Sequence, residues 1–405
     1  MKKKLPPKIC PLPWISMETT PMGGCRPCCL AKDEVPGIDL RKDTLEDAYK
    51  SDYMKDLRQQ FLDGEKPETC SRCWEEEAAG KMSKRMNTQV RLKHLMPDVD
   101  YENTEPDQLW FLDLKLGNVC NLKCRICGSW SSSKWAQEEM VRDGGGKEHL
   151  AYTHLKKGAW PKDNKQFWDN ANELMKTVKY MEFTGGEPFM IQEHLDLLDF
   201  CVSMGRARDI ELHYNTNGTQ RIPWWRLREF KKVEVAYSID NVGKRFEYER
   251  FGANWDDIDN MNELKHGMGA DIASEWYGLT KAKFHRQLCF TINIQNVYYL
   301  DQLLLWAKTK DFASIHWNYL HDPWHMNVQY MTPECKEIVL GAIEHNHKIV
   351  LPEYEKEWNT LINYIENGPG SDGKVFCDYM KKTDRMRNQN FGAVYPDIAK
   401  AMGYD

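Results

Sequence analysis

Three cysteines stand four and three residues apart in the run Gly117-Asn118-Val119-Cys120-Asn121-Leu122-Lys123-Cys124-Arg125-Ile126-Cys127-Gly128. A closed structural zinc site takes four ligands, so three thiolates on one short loop fall one short of it. Iron–sulfur clusters are held by cysteine thiolates, and three of them suit a [4Fe–4S] cluster in which one iron has no protein ligand. Such an iron is open to a small molecule. A second set of cysteines precedes this loop: Cys10, Cys25, Cys28, Cys29 and the CxxC pair Cys70 and Cys73.

The remaining four of the thirteen cysteines, Cys201, Cys289, Cys335 and Cys377, are isolated and read as small buried apolar residues. The odd count and tight clustering point to metal rather than disulfides, which a reducing compartment does not keep. The longest apolar run, near Leu300–Ala307, is far short of the roughly 18 residues a membrane span needs. Prolines 6, 7, 11 and 13 interrupt the N-terminus, where a signal peptide would need a continuous apolar segment. The expectation is a cytoplasmic protein without a membrane partner. A net charge of −6 over 405 residues gives no electrostatic case for binding nucleic acid. With 12% aromatic residues the chain is not disordered, and its length allows one barrel-sized domain with an appendage.

The elements that must position these cysteines are legible in outline. Six β-rich runs, 109–116, 180–183, 210–214, 233–239, 288–294 and 314–320, alternate with helical patterns such as 193–205 and 299–309. Alternation of this kind predicts βα units and a parallel sheet, in a barrel or a doubly wound fold. The stretch 44–63 has apolar residues at three- and four-residue spacing, with Asp43 or Thr44 as N-cap and Gly64 as the stop. Residues 75–94 read as helix or loop in a linker, 144–165 as an insertion, and everything after about 332 as polar and helical. The Trp-rich points read as core and rim packing.

A CxxxCxxC loop after the first strand of a βα fold resembles the signature of the radical S-adenosylmethionine enzymes. The resemblance implies that the open iron chelates the amino and carboxylate groups of the cosubstrate. One electron then breaks the sulfonium C–S bond, and a 5′-deoxyadenosyl radical abstracts a substrate hydrogen. Three further places are similar to that family. The second strand ends in Gly185-Gly186-Glu187-Pro188, like its GGEP motif; the third in Asn215-Thr216-Asn217-Gly218; the fourth in Ser238-Ile239-Asp240, with Arg250 downstream. The resemblance implies that Gly185, Gly186 and Glu187 orient the methionine group. Ser238, with Asn215 and Asp240, would hold the ribose, and Arg250 would pair with the carboxylate. The four features fall at the C-terminal ends of successive strands, where barrel active sites assemble. Asn293, Asn296, Asn318, His321 and Asp322 lie on the same rim, as adenine or substrate contacts or as ordinary loop polarity.

The N-terminal cysteines are similar to the auxiliary-cluster modules called SPASM or, in shorter form, twitch. That resemblance implies Cys10, Cys28, Cys70 and Cys73 as four ligands of a second [4Fe–4S] cluster, with Cys29 as the alternative to Cys28 and Cys25 outside the set. A structural zinc site is the competing reading. The module usually follows the barrel, whereas here it precedes it. The expected organisation is an auxiliary module over 1–80, a linker over 81–104, a partial (β/α)6 TIM-like barrel over 105–330 and a helical tail over 331–405. The implied partners are an electron donor such as flavodoxin or ferredoxin and a peptide, protein or small-alcohol substrate. A non-catalytic iron–sulfur protein and a zinc-stapled scaffold remain as alternatives.

Overall fold

All six expected strands are present in the computed structural model, which describes residues 6, 8–78, 80–162, 164–259, 284–310 and 312–404. They are β3 (Phe111–Leu114), β4 (Tyr180–Phe183), β5 (Glu211–Thr216), β6 (Lys232–Ser238), β7 (Phe284–Ile292) and β8 (Ser314–Tyr319). Two more, β1 (Ser16–Thr19) and β2 (Cys25–Arg26), come from the N-terminal cysteine segment. The sheet has the order β2-β1-β3-β4-β5-β6-β7-β8, so β3 to β8 follow the chain and the sheet does not close on itself. This is the α/β, partial-barrel architecture expected. By contacts the chain divides into two compact units, residues 1–119, 150–214 and 223–233, and residues 120–149, 215–222 and 234–405.

In the first unit, β1 pairs antiparallel with β2 and parallel with β3, and β3–β4 and β4–β5 are parallel. Strand alternation separates two faces. On one, Phe183 stacks on Tyr214 at 5.1 Å, and Phe189 lies 4.8 Å from the same ring. The buried His194 bonds the Pro188 carbonyl (2.9 Å) and the Tyr214 hydroxyl (2.8 Å), and burial pushes its pKa down to about 3. The other face carries Glu18, Asp113, Glu182 and His213 in register across four neighbouring strands, all buried. Adjacent carboxylates repel unless cations separate them. Arg26 grips Glu18 with two bonds of 2.8 Å, Lys115 reaches Glu18 and lies 3.7 Å from Asp113, and Lys84 is 3.2 Å from Glu182. Burial still pushes Asp113 up to about 6 against the pull of Lys115.

The expected helix over 44–63 is two helices, Leu45–Tyr49 and Asp52–Leu62. Ser51 interrupts it: its side chain caps the second helix by accepting from the Met54 N–H. Thr44 and Asp47 form a reciprocal capping box at the first, and Gly64, at φ +78°, follows the C-cap Asp63 of the second. Helices Ser71–Ala78 and Lys84–Arg91 occupy much of the polar stretch 75–94, and Leu150–Lys157 is a helix within the expected insertion.

In the second unit, β7 and β8 pair in parallel from Gln287↔Ser314 to Ile292↔Tyr319. The helix Leu300–Lys308 buries Leu300, Leu303, Leu304 and Ala307, the three- and four-residue spacing of one face. The C-terminal part contributes helices Pro333–Ala342, Glu355–Glu366, Lys374–Arg387 and Pro396–Met402. Trp317 of β8 meets Trp358 edge-on at 4.8 Å. Among the described residues no helix is long and apolar enough to cross a membrane.

Arg58 ties the N-terminal segment together. Fully buried, it donates to the carbonyls of Pro13, Thr104 and Tyr49, each at 2.8 Å, and lies 4.4 Å over the Tyr49 ring. Arg58→Met keeps the bulk but leaves three carbonyls, two of them buried, without their donor, and hydrogen bonds to a charged group contribute about 1.5–3 kcal/mol each. A stability loss of about 3 kcal/mol or more is expected by urea denaturation. An unshifted unfolding midpoint would show the staple to be idle.

Candidate functional site

Cys120 and Cys124 are buried around Leu122, with Cys127 and Ala253 packed against them. A hydrogen bond from Cys124 to Cys127 raises the first thiol and lowers the second. Cys127 also responds to the charge of Cys120, which places all three sulfurs within electrostatic reach. The backbone that carries them is fixed by others. Lys123 N–H donates to the Phe251 carbonyl (3.0 Å), Arg125 N–H to that of Glu249 (2.8 Å), and Ser132 Oγ to that of Leu122 (2.6 Å). The sulfurs are thus left to do something else.

The Leu122 N–H points at Cys120 Sγ (3.5 Å), and side-chain donors point at Cys120 and Cys124. Asn217 Nδ2 lies 3.7 Å from Cys120 Sγ, and Arg250 Nη1 lies 3.8 Å from Cys124 Sγ. Asn217 also shapes its own turn, accepting from the Thr219 N–H (2.9 Å) and donating to Asn121 (3.1 Å). Arg250 is buried against Asp240 (2.6 Å), whose other oxygen accepts from the Thr291 N–H (2.8 Å). Burial opposes the Arg250 charge, but Asp240 outweighs it and holds the guanidinium above its ordinary range. Among the described residues its Nε has no hydrogen-bond partner. Next in the chain, Glu249 accepts from Tyr395 OH (2.6 Å) and Asn241 (3.0 Å), and burial with nearby Asp240 pushes it up to about 7. Asp240 and Arg250, assigned by resemblance to different parts of the cosubstrate, are each other's partner here. Asn215 and Ser238 are half-buried at the ends of β5 and β6. Asn293 and Asn296 are spent locking the turn after β7, Asn293 N–H donating to Asn296 Oδ1 (2.9 Å).

The Gly185-Gly186-Glu187 turn, in the first unit, is built for close approach. Both glycines have positive φ (+75° and +59°), and a Cβ on Gly186 would lie 2.5 Å from the Val119 carbonyl. Glu187 N–H donates to that same carbonyl at 2.8 Å. Val119 is the residue before Cys120. The Glu187 side chain is fully buried and accepts from the Phe189 N–H at 3.4 Å.

Four of the N-terminal cysteines, Cys10, Cys28, Cys70 and Cys73, line one small pocket with Phe61, Trp74 and Arg85 among its walls. Burial raises the Cys10 thiol first, and the charges of Cys70, Cys28 and Cys73 raise it further. Burial pushes Cys28 up to about 11, and the Leu30 N–H opposes it. Cys73 is raised by burial, against bonds from the Arg85 N–H and the Ser83 hydroxyl. Arg85, paired with Glu77 (2.8 Å), brings a positive charge to this wall. The four thiols that the resemblance assigns to a second cluster thus line one pocket. Cys29 faces elsewhere: after burial, its largest influences are Lys84 and Asp113 of the charged face. Cys25 is raised by burial and by the charges of Glu18, Glu34 and Asp43, and it does not line the cysteine pocket.

Residues 10–74 match the sequence family SPASM, described as an iron-sulfur cluster-binding domain. The N-terminal segment is similar to a SPASM module. No curated protein matches the chain. Among solved structures, native anSMEcpe with bound AdoMet is 18% identical over 61% of this chain and 61% of that one, with a TM-score of 0.36. Streptococcus suis SuiB bound to precursor peptide SuiA is 12% identical over 77% and 63%, with a TM-score of 0.32. The chain thus spans about three fifths of the length of the solved chains it resembles.

Two functional residues escaped sequence reasoning. Asn217 looked like half of a turn, and only its asparagine identity beside Gly218 hinted at a donor. Arg85 lay in an expected linker with no motif around it. The SPASM-like cavity also makes a choice that spacing left open. Cys28→Ala is expected to lose the iron held by the N-terminal module, whereas Cys29→Ala keeps it. Iron analysis and visible absorbance of the purified variants check this, and equal loss in both would reverse the assignment. Gly186→Ala, strained at φ +59° and pressed on Val119, is expected to lower the unfolding midpoint on thermal denaturation, and an unchanged midpoint would show the turn to tolerate a Cβ.

Proposed function

We propose that this chain is a radical S-adenosylmethionine enzyme that abstracts hydrogen from a substrate, with Cys120, Cys124 and Cys127 as ligands of the catalytic [4Fe–4S] cluster. One observation carries the reading. Three thiols, two buried and one half-buried, share one loop that begins six residues past β3, their backbone is held by other groups, and side-chain donors point at two of their sulfurs. When bound, the cluster supplies one electron to S-adenosylmethionine and so generates the hydrogen-abstracting 5′-deoxyadenosyl radical.

The protein's own contribution is position and charge. Arg250 and Asn217 place positive charge and an N–H against anionic sulfurs, which stabilises thiolate ligands and tunes the reducing power of the metal they bind. Gly185 and Gly186 keep the backbone bare of Cβ atoms where the methionine group would lie, and Glu187 offers a carboxylate for its ammonium. Ser238 and Asn215, half-buried at strand ends, are assigned to the ribose.

The SPASM-like module holds a second cluster on Cys10, Cys28, Cys70 and Cys73. Four thiolates would leave such a cluster no open iron, so it would supply an electron acceptor for substrate oxidation rather than a substrate-binding site. The substrate class proposed is a side chain of a peptide or protein. A low-potential carrier of the flavodoxin or ferredoxin kind is the assigned electron donor.

Anaerobic reconstitution with iron, sulfide, dithionite and S-adenosylmethionine is expected to yield 5′-deoxyadenosine. Cys124→Ala should lose about four irons per chain and all of this product. Cys70→Ala should lose a similar amount of iron yet retain cosubstrate cleavage. An intact cluster that forms no 5′-deoxyadenosine would make the chain an electron carrier or sensor instead. A colourless protein that binds zinc would make it a scaffold.

A further inference from the structure

Cys124, the middle ligand of the loop, is braced on both sides by one helix far downstream. Its C-terminal neighbour Arg125 is fully buried and bonds Asp384 and, at 2.8 Å, Gln389. The guanidinium also lies 3.7 Å from the Tyr248 ring centre. Asp384 is held in turn by three further donors, accepting from Tyr248 OH (2.7 Å), Tyr404 OH (2.9 Å) and the Phe391 N–H (2.6 Å). Tyr379 OH donates to the Arg125 carbonyl at 2.9 Å.

On the other side Lys123 pairs with Glu138, and Arg387 holds Glu138 through bonds of 2.8 and 3.0 Å. Arg387 also lies 4.5 Å over the Trp135 ring, and Trp135 Nε1 donates to the Cys124 carbonyl at 2.6 Å. Asp384 and Arg387 stand three residues apart, so they share one face of the helix Lys374–Arg387. A helix that needed only to dock would use apolar side chains, because burying ion pairs is costly. Here Arg125 and Arg387 have 0% side-chain exposure, Asp384 4% and Glu138 7%, and both pairs lead to the residues flanking one cysteine.

We propose that the helix Lys374–Arg387 is a clamp on the cluster loop, with Asp384 and Arg387 as positioning residues that fix the backbone on either side of Cys124. The inference rests on the reading of Cys120, Cys124 and Cys127 as cluster ligands. The sequence separation of 259 residues between Arg125 and Asp384 then makes cluster retention a property of the C-terminal region. Partners of metal ligands typically change metal affinity about 10–100-fold when removed.

The test uses the full-length reconstituted protein with Asp384→Ala and Asp384→Asn. Both variants are expected to release iron from the Cys120 loop to a chelator at least about tenfold faster than the parent. The electron paramagnetic resonance signal of that reduced cluster should broaden or shift, while the SPASM-like cluster keeps its own. Should Asp384→Ala fail to fold by circular dichroism, the near-isosteric Asp384→Asn decides. A folded Asp384→Asn with parental chelation rate and spectrum overturns the clamp. Cys124→Ala separates the two ideas: no iron lost in that variant overturns the ligand assignment itself. Iron lost there, with parental Asp384 variants, overturns the clamp alone.

Discussion

Sulfur that must carry negative charge inside a protein needs compensation nearby, because burial alone drives a thiol towards its protonated form. Both cysteine groups show the same answer. At the Cys120 loop the compensation is Arg250, itself kept charged by Asp240, with an N–H from Asn217. At the N-terminal cavity it is Arg85, backed by Glu77, with main-chain N–H groups directed at Cys28 and Cys73. Around each group the supporting residues are ordered by this demand. The cations have carboxylate partners, and the ligand backbone is bonded elsewhere so that the sulfurs remain available.

The buried charges of the first unit obey a related rule. Glu18, Asp113 and Glu182 stand side by side because strand register leaves them no other place, and Arg26, Lys115 and Lys84 neutralise them in turn. On the opposite face, Phe183 and Tyr214 form an ordinary aromatic layer. One sheet thus presents an oily side and an ionic side, and Cys29 looks into the ionic one while its neighbour Cys28 looks into the cysteine cavity.

The strands of the partial barrel were legible because their β-rich runs stand apart from helical stretches of different period. The cysteine groupings were legible because metal ligation ties residue type to spacing. What could not be read were interactions between distant segments. Nothing in Arg125 or Asp384 advertises a pair 259 residues apart, and a tail of polar helices gives no hint that its charged residues are buried. The strands β1 and β2 escape notice for another reason. They are four and two residues long, too short for alternation to show, and tertiary pairing rather than local preference creates them. The break at Ser51 was hidden in a continuous amphipathic pattern, because the cap competes with the helix through one hydroxyl.

The parallel pairing of β1 with β3 has a consequence for how the molecule comes into being. Ser16 and Phe111 are neighbours in the sheet but stand 95 residues apart in the chain, so until β3 is made β1 has only the two-residue β2 to pair with. Until then Cys10, Cys28 and their companions belong to a chain that lacks its later strands. Metal insertion at the N-terminus and completion of the sheet are therefore linked events, each favouring the other through shared residues.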